Sequence, residues 1–186
     1  MASRWEGKTV ACIASGPSLS AEDCALVERA GIPAIAVNTS WKMARFAELI
    51  YAGDLSWWKA YGQEIDIKAE KWTCSRRASV QYGAQFHKIG GVYNSGLRAI
   101  QLAIGFGASR ILLLGYDATV KNGTHWHGNH AKTKNPDEAR CLKWHRQFAA
   151  LDRKGAQVIN CTPGSALECF PKMPISEALS GVSDVR

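Results

Sequence analysis

No apolar run in these 186 residues approaches the roughly 20 needed for a membrane-spanning helix. No apolar segment follows the polar opening at residues 1–8 either, so no secretory signal peptide is expected. The six cysteines, at positions 12, 24, 74, 141, 161 and 169, contain no Cys-x-x-Cys pair. That spacing speaks against a disulfide framework or a cysteine-based zinc site, and the thiols read as reduced, mostly structural groups of a cytoplasmic protein. Repeats and low-complexity segments are absent. So are the Walker A loop and the Gly-x-Gly-x-x-Gly fingerprint, which argues against classical NTP or dinucleotide binding. Acidic residues are outnumbered, 16 against 23 basic ones, leaving a net charge of +7. An excess of this size favours an anionic ligand or partner, although scattered basic residues also simply solvate a surface. Small basic clusters stand at Arg76-Arg77 and across Lys132, Lys134, Arg140, Lys143 and Arg146.

What is present begins with Val10-Ala-Cys-Ile-Ala-Ser-Gly-Pro-Ser-Leu19. An apolar run is stopped by Ser15, Gly16, Pro17 and Ser18, and an amphipathic segment follows. The pattern predicts a buried strand over residues 9–14, a tight turn, and a helix over 21–30 capped by Ser18 or Ser20. Gly16 permits a close backbone approach, and Pro17 suits a helix start because it lacks the N–H that would be unpaired there. The free amides and positive dipole end of such a helix suit an anion. A plain strand–helix turn without a ligand explains the same residues.

The remainder repeats this arrangement. Residues 34–37 read as a second buried strand ending at Asn38, whose amide both donates and accepts or else caps a helix over 41–47. Residues 48–52 read as a third strand, followed by Asp54 as cap of the helix carrying Trp57 and Trp58. Short strands are expected over 71–74 and 85–88, joined by a polar linker. Asn94, Ser95 and Gly96 open a helix over 97–106 that is apolar on nearly all sides and therefore buried. Residues 110–117 form a central strand with Asp117 at its exit. A long helix is expected over 135–154 and a last strand over 156–160, with Thr162 and Ser165 in the turn beyond it. Strands alternating with helices predict one Rossmann-like α/β domain spanning 1–186, with a mainly parallel sheet in which 10–14 and 111–115 are central neighbours. The tail 180–186 is expected to fray. Polar residues gather at successive strand ends, the edge where open α/β sheets bind ligands.

Three of the five histidines, His125, His127 and His130, fall in Asn122-Gly-Thr-His-Trp-His-Gly-Asn-His130. A histidine with a pKa near 6.5 suits general-base work, and three together favour function over structure. The spacing is also similar to the metallo-β-lactamase pattern His-x-His-x-Asp-His, with Asn129 at the acid's place. Histidines so spaced ligate zinc in other proteins. The missing acid and the different N-terminal architecture weigh against that reading, and no metal is expected.

Taken together, these blocks resemble the bacterial sialyltransferases of glycosyltransferase family 42 and their short phage-encoded relatives. The matching segments are 10–19, Val37-Asn38, Asn94-Ser95-Gly96, 112–117, 125–130 and 158–165. The resemblance implies that Gly16, Pro17, Ser18, Asn38, Ser95 and Gly96 hold a cytidine monophosphate sugar, with Ser15 at a position usually occupied by asparagine and Asp54 where the family also has asparagine. It implies His130 as general base, with His125 next, no cofactor beyond the nucleotide-sugar substrate, and a cytoplasmic location, that of the host if the chain is phage-encoded. The family's phosphate-binding tyrosines are not matched; Thr119 and Trp126 stand nearby. A Gly-Pro-Ser-Leu loop and a Gly-x-Asp strand end are shared with archaeal-type pterin pyrophosphokinases, which implies a nucleotide or phosphate pocket without a sugar. The expected partners are thus a nucleotide or nucleotide sugar, an acceptor of unspecified chemistry and a second copy of the chain. A non-catalytic nucleotide-binding module and a nucleic-acid-associated one are the alternatives, the latter without a recognised motif.

Overall fold

The computed structural model describes residues 3–91 and 93–180. Seven strands form one sheet: β1 Thr9–Ile13, β2 Ala34–Val37, β3 Leu49–Tyr51, β4 Glu70–Thr73, β5 Gln85–Phe86, β6 Arg110–Leu114 and β7 Gln157–Asn160. Their order is β5-β4-β3-β2-β1-β6-β7, and every neighbouring pair is parallel. Among the described residues, five α-helices lie between strands, α1 Ala21–Arg29, α2 Leu55–Tyr61, α3 Arg76–Tyr82, α4 Ser95–Gly105 and α5 Glu138–Ala149, and α6 Ile175–Ser180 follows the last strand.

Parallel strands buried on both faces must be apolar at successive positions, and β1 shows why the run Val10 to Ile13 carries no alternation. Ala11 and Ile13 belong to one core with Val27 of α1, Trp57 and Trp58 of α2, Ala78 of α3 and Ala178 of α6. Val10 and Cys12 belong to the opposite core with Leu97, Ile100 and Leu102 of α4 and Phe148 of α5. The result is a three-layer α/β domain of the Rossmann type. Each fully buried Leu or Ile of α4 contributes roughly 1.5–3 kcal/mol, which explains how an eleven-residue helix with so few charges is held.

The predicted pairing of the first and sixth strands holds: Ala11 is in register with Leu112 and Ile13 with Leu114, while β2 and β7 flank the pair. From β1 the chain first lays strands outward to β5 and then returns to place β6 on β1's other side. A crevice at the carboxyl ends of β1 and β6 follows from that reversal.

Several boundaries differ from expectation. The helix expected over 41–47 is instead a 3₁₀ segment, Asn38–Lys42, which Asn38 enters in the left-handed region at φ 53°. The long helix is shorter, beginning only after its cap Asp137, whose side chain accepts from the Arg140 amide at 2.7 Å. Ser20, not Ser18, caps α1, accepting from the Asp23 amide at 3.1 Å. Asp54 occupies the cap position of α2 with no side-chain cap bond. The polar linker between β4 and β5 contains α3, capped by Ser75. Of the tail expected to fray, Ser180 ends helix α6, and 181–186 lie outside the described residues.

Candidate functional site

Close backbone contact builds the crevice. The Gly16 amide donates to the Gly115 carbonyl at 2.9 Å, and the Ala14 amide to the Leu114 carbonyl at 2.8 Å. A Cβ on Gly16 would lie 1.9 Å from an Asp117 carboxylate oxygen and 2.5 Å from the Gly115 carbonyl. Gly115, at φ 68°, turns the chain out of β6. Asp117 then folds back onto the first loop: its carboxylate accepts from the Ser18 amide at 3.2 Å and the Ser18 hydroxyl at 2.8 Å. Burial raises the Asp117 pKa, while the two Ser18 bonds work against that rise. The next residue, Ala118, is also left-handed, at φ 51°, and its carbonyl accepts from Nε2 of His145 at 2.8 Å. A non-glycine held there costs on the order of 1 kcal/mol or more and survives only where neighbours enforce it.

Above these loops lies a cavity of about 780 Å³, within the range of pockets that hold nucleotide-sized ligands. Of the sequence candidates, Ser15, Gly16, Pro17, Asn38, Asp54, Asn94, Ser95, Gly96, Asp117, His125 and His130 border it. Lys132, Lys134 and Arg140, part of the basic cluster seen in the sequence, border it too. The α4 end of the cavity is a preformed helix N-terminus. Asn94 caps it by accepting from the Leu97 amide at 2.8 Å, and the Ser95 hydroxyl oxygen accepts from the Gly53 amide at 3.0 Å. Tyr116 steadies the same turn by donating to the Gly96 carbonyl at 3.0 Å. Tyr116 and Trp57 are not among the sequence's site candidates, yet both border the cavity, and Trp57 donates to the Thr39 hydroxyl at 3.2 Å. Both sit in apolar surroundings and carry one polar atom each, so pattern alone reads them as core.

Three sequence candidates do not border the cavity. Ser18 spends its amide and hydroxyl on Asp117. Thr162 accepts from the Tyr116 amide at 2.9 Å and donates to the Leu113 carbonyl at 3.3 Å. Ser165 donates to the Tyr116 carbonyl at 2.7 Å and accepts from the Asn160 amide group at 2.8 Å. Thr162 and Ser165 are buried braces of the β6 exit; a polar turn beyond a strand looks the same in sequence whether it faces a ligand or a neighbouring loop.

The histidine loop closes the other side. The Trp126 amide donates to the Ser15 carbonyl at 3.1 Å, so the loop is fastened to the first one. Nδ1 of His125 lies 3.3 Å from the Ser15 hydroxyl. Ring centroids are 5.2 Å apart for His125 and His127, 4.3 Å for His125 and His130, and 4.8 Å for His127 and His130. Burial, and then the neighbouring imidazoles, bring the pKa values of His125 and His130 down to about 4. Burial also lowers that of His127. Lys132 and Lys134 stand close to His130 in the sequence, yet the lowering of its pKa comes from burial first and then from His125 and His127. All three rings are therefore neutral near pH 7.

No protein-family model matches the chain, and no curated protein or solved structure matches it. The chemistry of the site rests on the residues that form it.

Proposed function

We propose that the protein is a glycosyltransferase-like enzyme that binds a nucleotide sugar of the CMP type and transfers the sugar to an acceptor hydroxyl. One observation carries this reading. The crevice where the strand order reverses brings Gly16, Asn38, Ser95 and Gly96 onto the same cavity as His125 and His130. These are the positions at which the resemblance to family 42 expects donor-binding and proton-accepting groups.

The division of labour follows from the chemistry of each wall. Because Asp117 already takes the Ser18 donors, the phosphate belongs at the N-terminus of α4, with the Ser95 hydroxyl and the start of the helix dipole. Lys132, Lys134 and Arg140 add positive charge along the same cavity. Asn38 and Asp54 offer donors and acceptors for base and ribose. The departing phosphate gains charge as the glycosidic bond breaks, and preformed donors at a helix end stabilise that charge. The acceptor hydroxyl loses its proton on the histidine side, where neutral imidazoles border the cavity.

A thermal-shift series with CMP, CDP, UDP and GDP and their sugars tests the reading. A ligand at a hundredfold excess over its Kd adds about 2.7 kcal/mol of stability, or ~5–10 °C in Tm for a chain of this length. A shift confined to cytidine nucleotides and their sugars supports it. No shift with any member, or shifts with inorganic phosphate alone, contradicts it.

A further inference from the structure

We propose that His125, His127 and His130 form a binding site for one zinc-type divalent metal ion, with the fourth coordination position open toward the cavity.

One potential ligand atom from each of the three side chains lies within 4.8 Å of those of the other two. A tetrahedral zinc ion bound at 2.0–2.1 Å draws its nitrogen ligands to about 3.4 Å from one another, so side-chain adjustment of roughly an ångström completes the set. The ring nitrogens are also divided as a metal site requires. Nδ1 of His125 is engaged with the Ser15 hydroxyl at 3.3 Å. Nε2 of His125 and Nε2 of His127 are buried with no hydrogen-bond partner among the described residues. A ring whose Nδ1–H is donated keeps its Nε2 lone pair as an acceptor, which is the tautomer that ligates metals. Two buried imidazole nitrogens left unpaired side by side each carry a desolvation cost. One shared cation removes both costs.

The loop is braced as a ligand-bearing loop should be. The Gly128 amide donates to the His125 carbonyl at 3.0 Å, closing a turn that encloses His127. The Thr124 hydroxyl donates to the side-chain carbonyl of Asn129 at 2.6 Å. The Asn135 side chain holds the His130 backbone from both sides, accepting from its amide at 2.7 Å and donating to its carbonyl at 3.2 Å. With three imidazoles and no carboxylate, the donor set favours zinc, cobalt, nickel or copper over magnesium or calcium. His145 is not a fourth ligand by default, because its Nε2 is engaged with the Ala118 carbonyl. His125 and His130 border the cavity, which places the open position on the ligand side. Three protein ligands and an open fourth position characterise catalytic rather than structural zinc, and such an ion brings the pKa of a bound water to about 7. A histidine that ligates the ion has no free lone pair for a proton, so with the ion held the base for the acceptor hydroxyl would be the hydroxide form of the ion's bound water.

The site does not depend on which nucleotide fills the cavity, so its test uses the metal alone. Tag-free protein is stripped with a chelator and titrated with Zn²⁺ by calorimetry, then with Co²⁺ while the visible spectrum is recorded. The expected result is one equivalent bound, with the d–d bands of nitrogen-ligated tetrahedral or five-coordinate cobalt. His127→Ala and His125→Ala should each weaken binding by about 100-fold or more, and Ser15→Ala by about 10-fold, with the circular-dichroism spectrum unchanged. His145→Gln should bind as wild type does. Absence of stoichiometric binding overturns the proposal, and so does binding that survives in both His127→Ala and His125→Ala. Should a variant fail to fold, the wild-type cobalt spectrum decides alone: bands without imidazole coordination, or no bands, reject the site.

Discussion

Asp117 at the end of β6 holds Ser18 of the first loop by two hydrogen bonds, one from the amide and one from the hydroxyl. An acidic side chain therefore sits on the donors that a Gly-Pro-Ser turn offers to a phosphate. Ser18→Ala removes one bond to a carboxylate and should cost ~1–3 kcal/mol of stability. Nucleotide affinity should stay within about twofold, because Ser18 does not border the cavity. Urea denaturation and calorimetric titration of the same variant separate the two effects. A large loss of affinity at unchanged stability would return Ser18 to the ligand.

Gly16 is the tightest point of the crevice. Gly16→Ala puts a methyl group into both the Asp117 carboxylate and the Gly115 carbonyl. Such overpacking should lower stability by about 3 kcal/mol or more, since backbone cannot yield as a flexible side chain does. Gly90→Ala, with nothing within 4 Å of the added Cβ, should stay within about 0.5 kcal/mol of wild type. Equal urea midpoints for the two variants would contradict the close approach.

Ser95→Ala removes the hydroxyl at the start of α4 and should weaken nucleotide binding by ~0.5–1.5 kcal/mol. His130→Ala should leave that affinity nearly intact and slow sugar transfer by ~10²–10⁴-fold. Steady-state kinetics with a confirmed donor would read the first effect in KM and the second in kcat. The reverse assignment, or silence of both, removes the division of labour between the two walls of the cavity.

Much of this geometry is legible in the sequence where burial is extreme. The unbroken apolar runs of β1 and β6 announce strands covered on both faces, and the nearly all-apolar α4 announces a buried helix beginning at Asn94. Elements that bury little give no such signal. Helix α3 buries Ala78 alone, and α6 buries only Ile175 and Ala178, so neither carries an apolar stripe that a helical period could reveal. At the site, position along the chain identifies strand exits but not side-chain direction. Asn38 and Ser95 meet the cavity while Thr162 and Ser165 turn to brace the Tyr116 backbone. The convergence of the three histidines depends on how the loop folds between 122 and 135, which spacing suggests without fixing.

His87 is buried and its Nδ1 lies 3.1 Å from the Tyr51 hydroxyl. Burial first, and the Arg98 charge second, bring its pKa down to about 4. The unfolded chain, with an ordinary histidine near 6.5, binds this proton at higher pH than the folded chain does. Its contribution to stability is thus fully present above about pH 6.5 and is lost as pH falls toward 4, by an amount on the order of 3 kcal/mol. The slope of unfolding free energy against pH between 4 and 6.5 should be shallower in His87→Asn than in wild type. Parallel slopes would mean that His87 does not titrate differently on folding.

The central claim is that a nucleotide phosphate binds in the crevice between the carboxyl ends of β1 and β6, at the start of α4. The most direct measurement is the change in backbone amide chemical shifts when CMP is added to isotopically labelled protein. The largest shifts should fall on residues 94–97 and on Asn38, Gly16 and the histidine loop, with saturation at a single Kd. Shifts centred elsewhere on the domain, or no saturable change, would contradict the claim.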